Sequence, residues 1–579
     1  MGPATTLQPA TADQGFKTIP EPLQNTYTTD KSLHRQLSYL TQLGEEAISP
    51  QIHEWSADAE RHQPYVRGYN VWGQRYDYDR VITSEGWKQL SSTALILSQQ
   101  MQQQDFPATH PFTIIFNHLI SRNKDFWTSS QWMTKRAGGS DVQDTETWAT
   151  YNPIPASPST SNNPLATLGE GEYSVSGFKF FSSATNTNVA LLLAKTSPSG
   201  KVSTFLAPLR RTLTVPDNKR THEVTNSVRI HRLKNKLRTK EVPTAELELH
   251  NMRAHLVGQR DKGVATIAPM LNVTCTHTFI SSLGAWRRAL SIAKSFARAR
   301  ITVGEALWLI PMHLRLLGEL EIRHRAAMQL GFLMVGVMRV AENPAIGATV
   351  EEIPRHMPRE NEVTVVFRTL TAVSKAVISK MAVLGIQECQ EAMGGVGYME
   401  EPDEPEFNVS RLLRNTAVNR IWEGTMNVLA SEVVRFLLAR DNFTVFAAWA
   451  EWVLGMIWTE GLALALNQAW AAFKGEVTRD VASVLADGRR VIFTLAWILI
   501  GGLLALDAER DEDEVAVEIA RRWILAGEGG VGDTLHRGIM KPYGDVDAND
   551  HARWDCRIVW GMELPEGQLA GHCSLKNKL

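Results

Sequence analysis

The segment Asn419-Arg420-Ile421-Trp422-Glu423-Gly424-Thr425-Met426-Asn427 places a lone carboxylate between a large aromatic and a glycine. It follows the glycine turn Gly394-Gly395-Val396-Gly397-Tyr398 and precedes an apolar helical run. A glutamate on a tight bend facing an apolar pocket is driven by desolvation to take up a proton, which suits a general base that deprotonates a carbon acid. The plainer alternative is a glutamate that caps the next helix. Two earlier segments carry ligand-binding chemistry. In Gln131-Trp132-Met133-Thr134-Lys135-Arg136-Ala137-Gly138-Gly139-Ser140-Asp141-Val142, Thr134 and Ser140 supply short donors, and Gly138-Gly139 lets the backbone approach a planar or phosphate ligand. In Gly177-Phe178-Lys179-Phe180-Phe181-Ser182-Ser183-Ala184, aromatic and hydroxyl residues share one β-type run. Alone, the first would read as a turn and the second as core strand.

The elements that must position these groups follow from periodicity. Residues 1–28 are rich in Pro, Thr, Ala and Gln and read as a disordered tail without a secretory signal. Residues 29–130 carry helical spacing, in Leu33-Leu37-Leu40-Leu43 and Leu90-Leu95-Leu97, and read as an N-terminal helical domain. Residues 131–256 break into short β-rich runs separated by turn-rich stretches such as 153–163, which predicts a small antiparallel barrel or sandwich. Residues 257–440 return to helical period in Ser281–Arg300, Leu314–Val340 and Val363–Met393, a helical bundle that ends in the base segment. Residues 441–579 form a further helical domain. The fold class is therefore α+β, and a β-domain between helical domains leaves a crevice suited to a flat cofactor.

Composition bounds the rest. The 579 residues are 44% hydrophobic, with 60 Lys+Arg against 62 Asp+Glu, so overall charge demands neither nucleic acid nor membrane. The four cysteines, Cys275, Cys389, Cys556 and Cys573, lack the paired spacing of a zinc site or redox dithiol and point to a reducing, intracellular, cytoplasmic home. The apolar run Val491–Leu506 is shorter than the ~20 residues of a membrane span and reads as a buried helix. The ending Asn577-Lys578-Leu579 differs by one residue from a peroxisomal address, and a solvated basic tail is the alternative.

Taken in order, the three chemical segments resemble those of the acyl-CoA dehydrogenase superfamily, and the extra C-terminal block resembles its AidB-like branch. The resemblance runs from Thr29 to Arg440. It implies bound FAD, with Gln131, Met133, Thr134, Gly139 and Ser140 as the flavin signature, Phe181 covering the ring and Ser183 donating to flavin N5. It implies Glu423 as the base that removes the α-proton, with Trp422 beside it and Thr425 and Asn427 reaching the adenine-dinucleotide part. Arg300 falls where the family places an arginine near the FAD pyrophosphate, and Gly394 and Gly395 fall on the family's glycine turn. Arg411 and Arg414 match its basic segment or are surface and salt-bridged residues.

Departures from the pattern bear on the substrate. Lys135 replaces the acidic residue after the signature threonine, Val303 replaces a phenylalanine, and Arg238 stands where glycine is usual. Between Leu271 and Gly284 there is no arginine, and His277 is the nearest polar candidate, either a buried, satisfied histidine or a functional one. The resemblance implies dehydrogenation of an acyl substrate, with the carrier open between a CoA thioester and another. The electron acceptor is open between an electron-transfer flavoprotein and oxygen, and a homotetramer or homodimer is expected. A flavin oxidase acting on another carbon acid is a second enzyme reading. The reading from another class is a DNA-associated protective flavoprotein. From Arg440 to Leu579 there are 14 Lys+Arg against 21 Asp+Glu, which argues against it, while Arg489-Arg490 and Arg521-Arg522 keep it open.

Overall fold

The computed structural model describes residues 45, 49–92, 128–136, 138–154, 171–196, 200–214, 221–237, 239–342, 354–511, 513–526 and 548–564. The expected tail at 1–28, the leucine spacings at 33–43 and 95–97, the turn-rich stretch beyond 154, Arg238 and the C-terminal Asn577-Lys578-Leu579 lie outside these residues. Two compact units divide the chain: a β unit of residues 42–274 and 402–406, and a helical unit of the remainder.

The β unit opens with helix α1 (Pro50–Arg61), started by Ser49, whose hydroxyl accepts from the Ile52 N–H at 3.4 Å. The stretch that reads as purely helical is then interrupted by a hairpin, β1 (Tyr65–Tyr69) with β2 (Arg75–Ile82). Its turn is set by Asn70, whose Oδ1 accepts from the N–H groups of Trp72 and Gln74 at 2.9 and 3.0 Å. Tyr-Val-Arg-Gly-Tyr alternates exposed with half-buried positions and presents no apolar face, so neighbouring leucine spacing dominates the sequence signal.

The remaining strands are β3 (Ser129–Trp132), β4 (Trp148–Tyr151), β5 (Tyr173–Ser183), β6 (Val189–Lys195), β7 (Val202–Pro208), the pair β8 (Arg210–Thr214) and β9 (Thr221–Thr225), then β10 (Val228–Leu233) and β11 (Thr244–Val257). Seven of them form one sheet in the order β10-β11-β5-β4-β6-β3, and β7 pairs with both β6 and the far end of β11. The sheet is mixed, which corrects the expectation of an antiparallel one: β3 and β4 both run parallel to β6. Strands joined by long connections need not reverse direction as hairpin partners must. Trp132, Val175, Leu192, Phe205 and Met252 fill its interior at 0% exposure.

The helical unit contains the long helices that the spacing predicts. They are α2 (Gly263–Ala299), which begins in the β unit, α3 (Pro311–Glu342) and α4 (Glu360–Ala392). Shorter helices follow: α5 (Val409–Thr416), α6 (Met426–Leu437), α7 (Asn442–Leu454), α8 (Glu460–Val477), α9 (Val481–Ala486), α10 (Gly488–Asp511), α11 (Glu514–Arg521) and α12 (Ala548–Trp560). One hydrophobic cluster runs from Phe279 to Val559, so residues on both sides of Arg440 share a core. Both α4 and α10 are long and apolar enough to cross a membrane, but 89% and 83% of their most apolar windows are buried inside the protein.

Buried charge is woven into this bundle. Glu321, 2% exposed, faces Arg325, Arg287 and Lys294 at 3.2, 3.3 and 3.5 Å. Burial would raise its carboxyl, but the three cations outweigh that and hold it down to about 2. Arg522, fully buried, pairs with Glu518 at 3.0 Å and with Asp555, tying α11 to α12.

Candidate active site

In the β unit, the signature segment leaves β3 and is clasped to β5 by one side chain. The Thr134 hydroxyl accepts from the Phe181 N–H at 2.9 Å and donates to the Phe181 carbonyl at 3.3 Å, while the Phe180 N–H donates to the Thr134 carbonyl at 3.2 Å. Gln131 is half-buried and Met133 buried beneath this clasp. Gly139 and Ser140 are exposed in the loop beyond, which Lys135 closes by pairing with Asp141 at 3.1 Å. Lys135 is itself 7% exposed. The unusual lysine after Thr134 is therefore a buried loop tie.

Phe181 presents a ring that is 48% exposed, packed edge-on against Phe180 at 5.2 Å. One strand position on the same face, Ser183 Oγ lies 3.0 Å from Thr244 Oγ1. The Lys236 ammonium donates to Thr244 Oγ1 at 2.8 Å. Thr244 can then pass its own proton to Ser183, which leaves the Ser183 hydroxyl proton available to a ligand. The Lys234 ammonium lies over the Phe181 ring at 4.6 Å, and this half-exposed aromatic beside a hydroxyl donor and a loop of exposed small residues fits a planar ring with a polar edge.

In the helical unit, Glu423 sits on a turn, half-buried, in the left-handed region at φ 54°, with Gly424 following at φ 101°. Two successive left-handed residues, one of them not glycine, cost about 1 kcal/mol and need outside support. Support comes from both sides. Asn419, 3% exposed, donates to Ser282 Oγ, Ser281 Oγ and the Thr278 carbonyl of α2 at 2.8, 3.2 and 3.3 Å. Lys375 of α4, 1% exposed, donates to the Gly424 carbonyl. Burial lowers the Lys375 ammonium to about 8, against the opposing pull of Cys275 and Glu423, and burial raises the Cys275 thiol to about 12. Thr425 starts α6 as its N-cap without a side-chain bond of its own, and Glu423 stands two residues before it.

The other expected residues are distributed as follows. Trp422 is 41% exposed beside Glu423. Asn427, in the first turn of α6, accepts from Arg489 at 2.5 Å, so its carbonyl oxygen is already engaged within the protein. Arg300 is exposed just past the end of α2. Gly394 (φ 62°) and Gly395 are exposed, and the glycine that only glycine can be is Gly397, where a Cβ would lie 2.1 Å from the Gln390 carbonyl oxygen. Arg414 pairs with Glu400 at 2.8 Å, and Arg411 is half-buried. His277 is exposed on α2, not buried as one reading expected, and the buried neighbour of the base turn is Cys275. Val303 lies in a tight turn at φ 53°, 84% exposed.

Sequence reasoning missed Lys375, Asn419, Lys236 and Thr244. The available signal for Lys375 is a charge inside the apolar run Val373-Ser374-Lys375-Ala376-Val377, on a helix face that must be buried. In each of the two basic pairs that keep a DNA-binding role open, one member has a partner within the protein: Arg522 pairs with Glu518 and Asp555, and Arg489 donates to Asn427.

Residues 261–438 match the acyl-CoA dehydrogenase C-terminal domain. The chain is similar to acyl-CoA dehydrogenase family member 11 of Caenorhabditis elegans, with 28% identity over 88% of both chains. It is similar to AidB of Escherichia coli (strain K12), with 30% identity over 53% of this chain and 47% of AidB. Among solved structures, Caenorhabditis elegans ACDH-11 in complex with C11-CoA shares the fold at a TM-score of 0.70, 24% identity and coverage of 96% and 97%. Together with the motif order and the base turn, these findings place an acyl-CoA dehydrogenase C-terminal domain at residues 261–438 and make the chain as a whole similar to acyl-CoA dehydrogenase-like oxidoreductases.

Proposed function

We propose that this protein is an FAD-dependent, acyl-CoA dehydrogenase-like enzyme that oxidises the α,β-bond of an acyl thioester. The observation that carries the reading is Glu423 itself: a carboxylate held in a left-handed turn by buried donors, at the family's base position. In this reading Glu423 takes the α-proton of the acyl chain. FAD, when bound, supplies the acceptor for the hydride that leaves the β-carbon. Thr134, Ser140, Phe181 and Ser183 are the residues that would hold the flavin, Phe181 supplying an aromatic surface and Ser183 a hydroxyl donor. Fixing base and substrate together replaces the entropy cost of a bimolecular encounter, so Glu423 must be held rather than mobile. A CoA thioester is the favoured substrate because ACDH-11, which shares the fold over nearly the whole chain, binds C11-CoA.

The test is anaerobic reduction of the purified yellow protein by C11-CoA. Glu423→Gln is expected to keep its flavin and to lose flavin reduction by about a hundredfold to ten-thousandfold. Full reduction by that variant removes Glu423 from the mechanism, and a colourless protein unable to take up FAD ends the reading altogether.

A further inference from the structure

The base turn carries a second charge that the proton abstraction does not use. We propose that Lys375 is the positioning residue of Glu423: bonded to the Gly424 carbonyl, its ammonium fixes the left-handed 423–424 turn and keeps the Glu423 carboxylate ionised. The inference rests on Glu423 being the base.

Several observations converge on it. Lys375 projects from α4, whose other faces fill the bundle core, and it is 1% exposed. A lysine is not buried there without a partner, because an unpaired ammonium in an apolar interior costs several kcal/mol. Its bond goes to the carbonyl directly after Glu423, at the second of two successive left-handed residues. Gly424 precedes Thr425, the N-cap of α6, so its carbonyl stands outside the hydrogen-bond ladder of that helix. The groups that face this ammonium electrostatically are Glu423 and the Cys275 thiol from α2. Glu432 of α6 lies close enough to act on Cys275, and Arg368 of α4 faces Glu432 at 3.8 Å. Cys275 stays a neutral thiol, since burial and the two glutamates push it up to about 12 despite Lys375. The negative partner of the lysine in this cluster is therefore Glu423. An opposite charge at short range favours the charged form of a carboxyl, which counters the desolvation of the turn. The bond to the Gly424 carbonyl therefore fixes the turn and keeps the ammonium beside the carboxylate it favours.

The experiment titrates the Glu423 carboxyl in the full-length flavoprotein by infrared difference spectroscopy, the band being assigned by its loss in Glu423→Gln. Lys375→Met removes charge and donor, Lys375→Gln keeps a donor without the charge, and Lys375→Arg keeps both. The midpoint is expected to rise by about one pH unit in Lys375→Met and Lys375→Gln and to stay in place in Lys375→Arg. In the pH profile of flavin reduction by C11-CoA, the acid limb is expected to move with it, about tenfold slower on the acid side. An unmoved midpoint in both neutral variants overturns the proposal even if Glu423→Gln is inactive. Reduction that survives in Glu423→Gln instead overturns the assignment of the base. If neither neutral variant folds, Lys375→Arg decides: an unmoved midpoint with flavin reduction retained supports the proposal, and a rise of about one pH unit despite the retained charge overturns it.

Discussion

The two halves of the chemistry are held in opposite ways. In the β unit, Thr134, Phe181 and Ser183 occupy ordinary strand or strand-end positions, and strand period aims Phe181 and Ser183 to one face. Their neighbours secure them with main-chain and hydroxyl bonds at 2.9–3.3 Å, reinforced by Lys236 at the rim. In the helical unit, Glu423 leaves regular structure altogether and is kept there by a buried lysine and a buried asparagine. A flat ring needs a flat, repeating surface, and strand geometry supplies one. A left-handed turn aims a side chain in a direction that neither helix nor strand geometry offers.

The bundle behind the base turn follows the same charged logic, and substitutions should separate the two strategies. The largest effect is expected from Glu321→Gln, which leaves Arg287, Lys294 and Arg325 facing a neutral group: about 3–5 kcal/mol lost at neutral pH, measured by denaturant unfolding with hydrogen exchange in α2–α4. Glu321, held down to about 2, contributes stability above the ordinary glutamate range that disappears as pH falls toward 2. The difference between wild type and Glu321→Gln should therefore shrink over that window. His324, kept neutral by burial and lowered to about 4, contributes stability above the ordinary histidine value, lost as pH falls from there toward 4. Acid should thus loosen the helical unit before Glu321 itself titrates. A wild-type unfolding free energy that is flat from neutral pH to about 4 breaks this assignment.

Next in size is Gly397→Ala, where the new methyl meets the Gln390 carbonyl and a loss of about 1–3 kcal/mol in thermal or chemical unfolding is expected. Gly394→Ala meets no neighbouring atom and tests backbone strain alone, at φ 62°. In the β unit, Thr134→Val leaves the Phe181 N–H without its acceptor and should cost about 1 kcal/mol, read as a lower melting temperature and weaker FAD retention. A loss as large as that of Glu321→Gln would erase the contrast between the halves.

Much of the fold was legible because it is periodic. Helices α2, α3 and α4 announce themselves by apolar spacing, and the β unit by short runs between turns. The hairpin at 65–82 was hidden because its alternation has no apolar face, and the parallel pairing of β3 and β4 with β6 was hidden because direction depends on connections, not on strand composition. Among the candidate site residues, Thr134, Phe181, Ser183 and Glu423 stand in compact motifs, so a local reading can single them out. It cannot single out their supports. Thr244 is 61 positions from Ser183, and Lys375 is 49 positions from Gly424.

The amino-acid order by itself marked the long helices and the β-rich region, though not the 65–82 hairpin, because side-chain period 3.6 or 2 is a local property, and it marked which residues are chemically able to act. Tertiary packing alone decided what stands behind each of them. Whether the carbonyl after Glu423 meets water or a buried ammonium depends on how α4 packs beneath the turn, and short-range electrostatics and hydrogen bonding act through space with no record in local spacing.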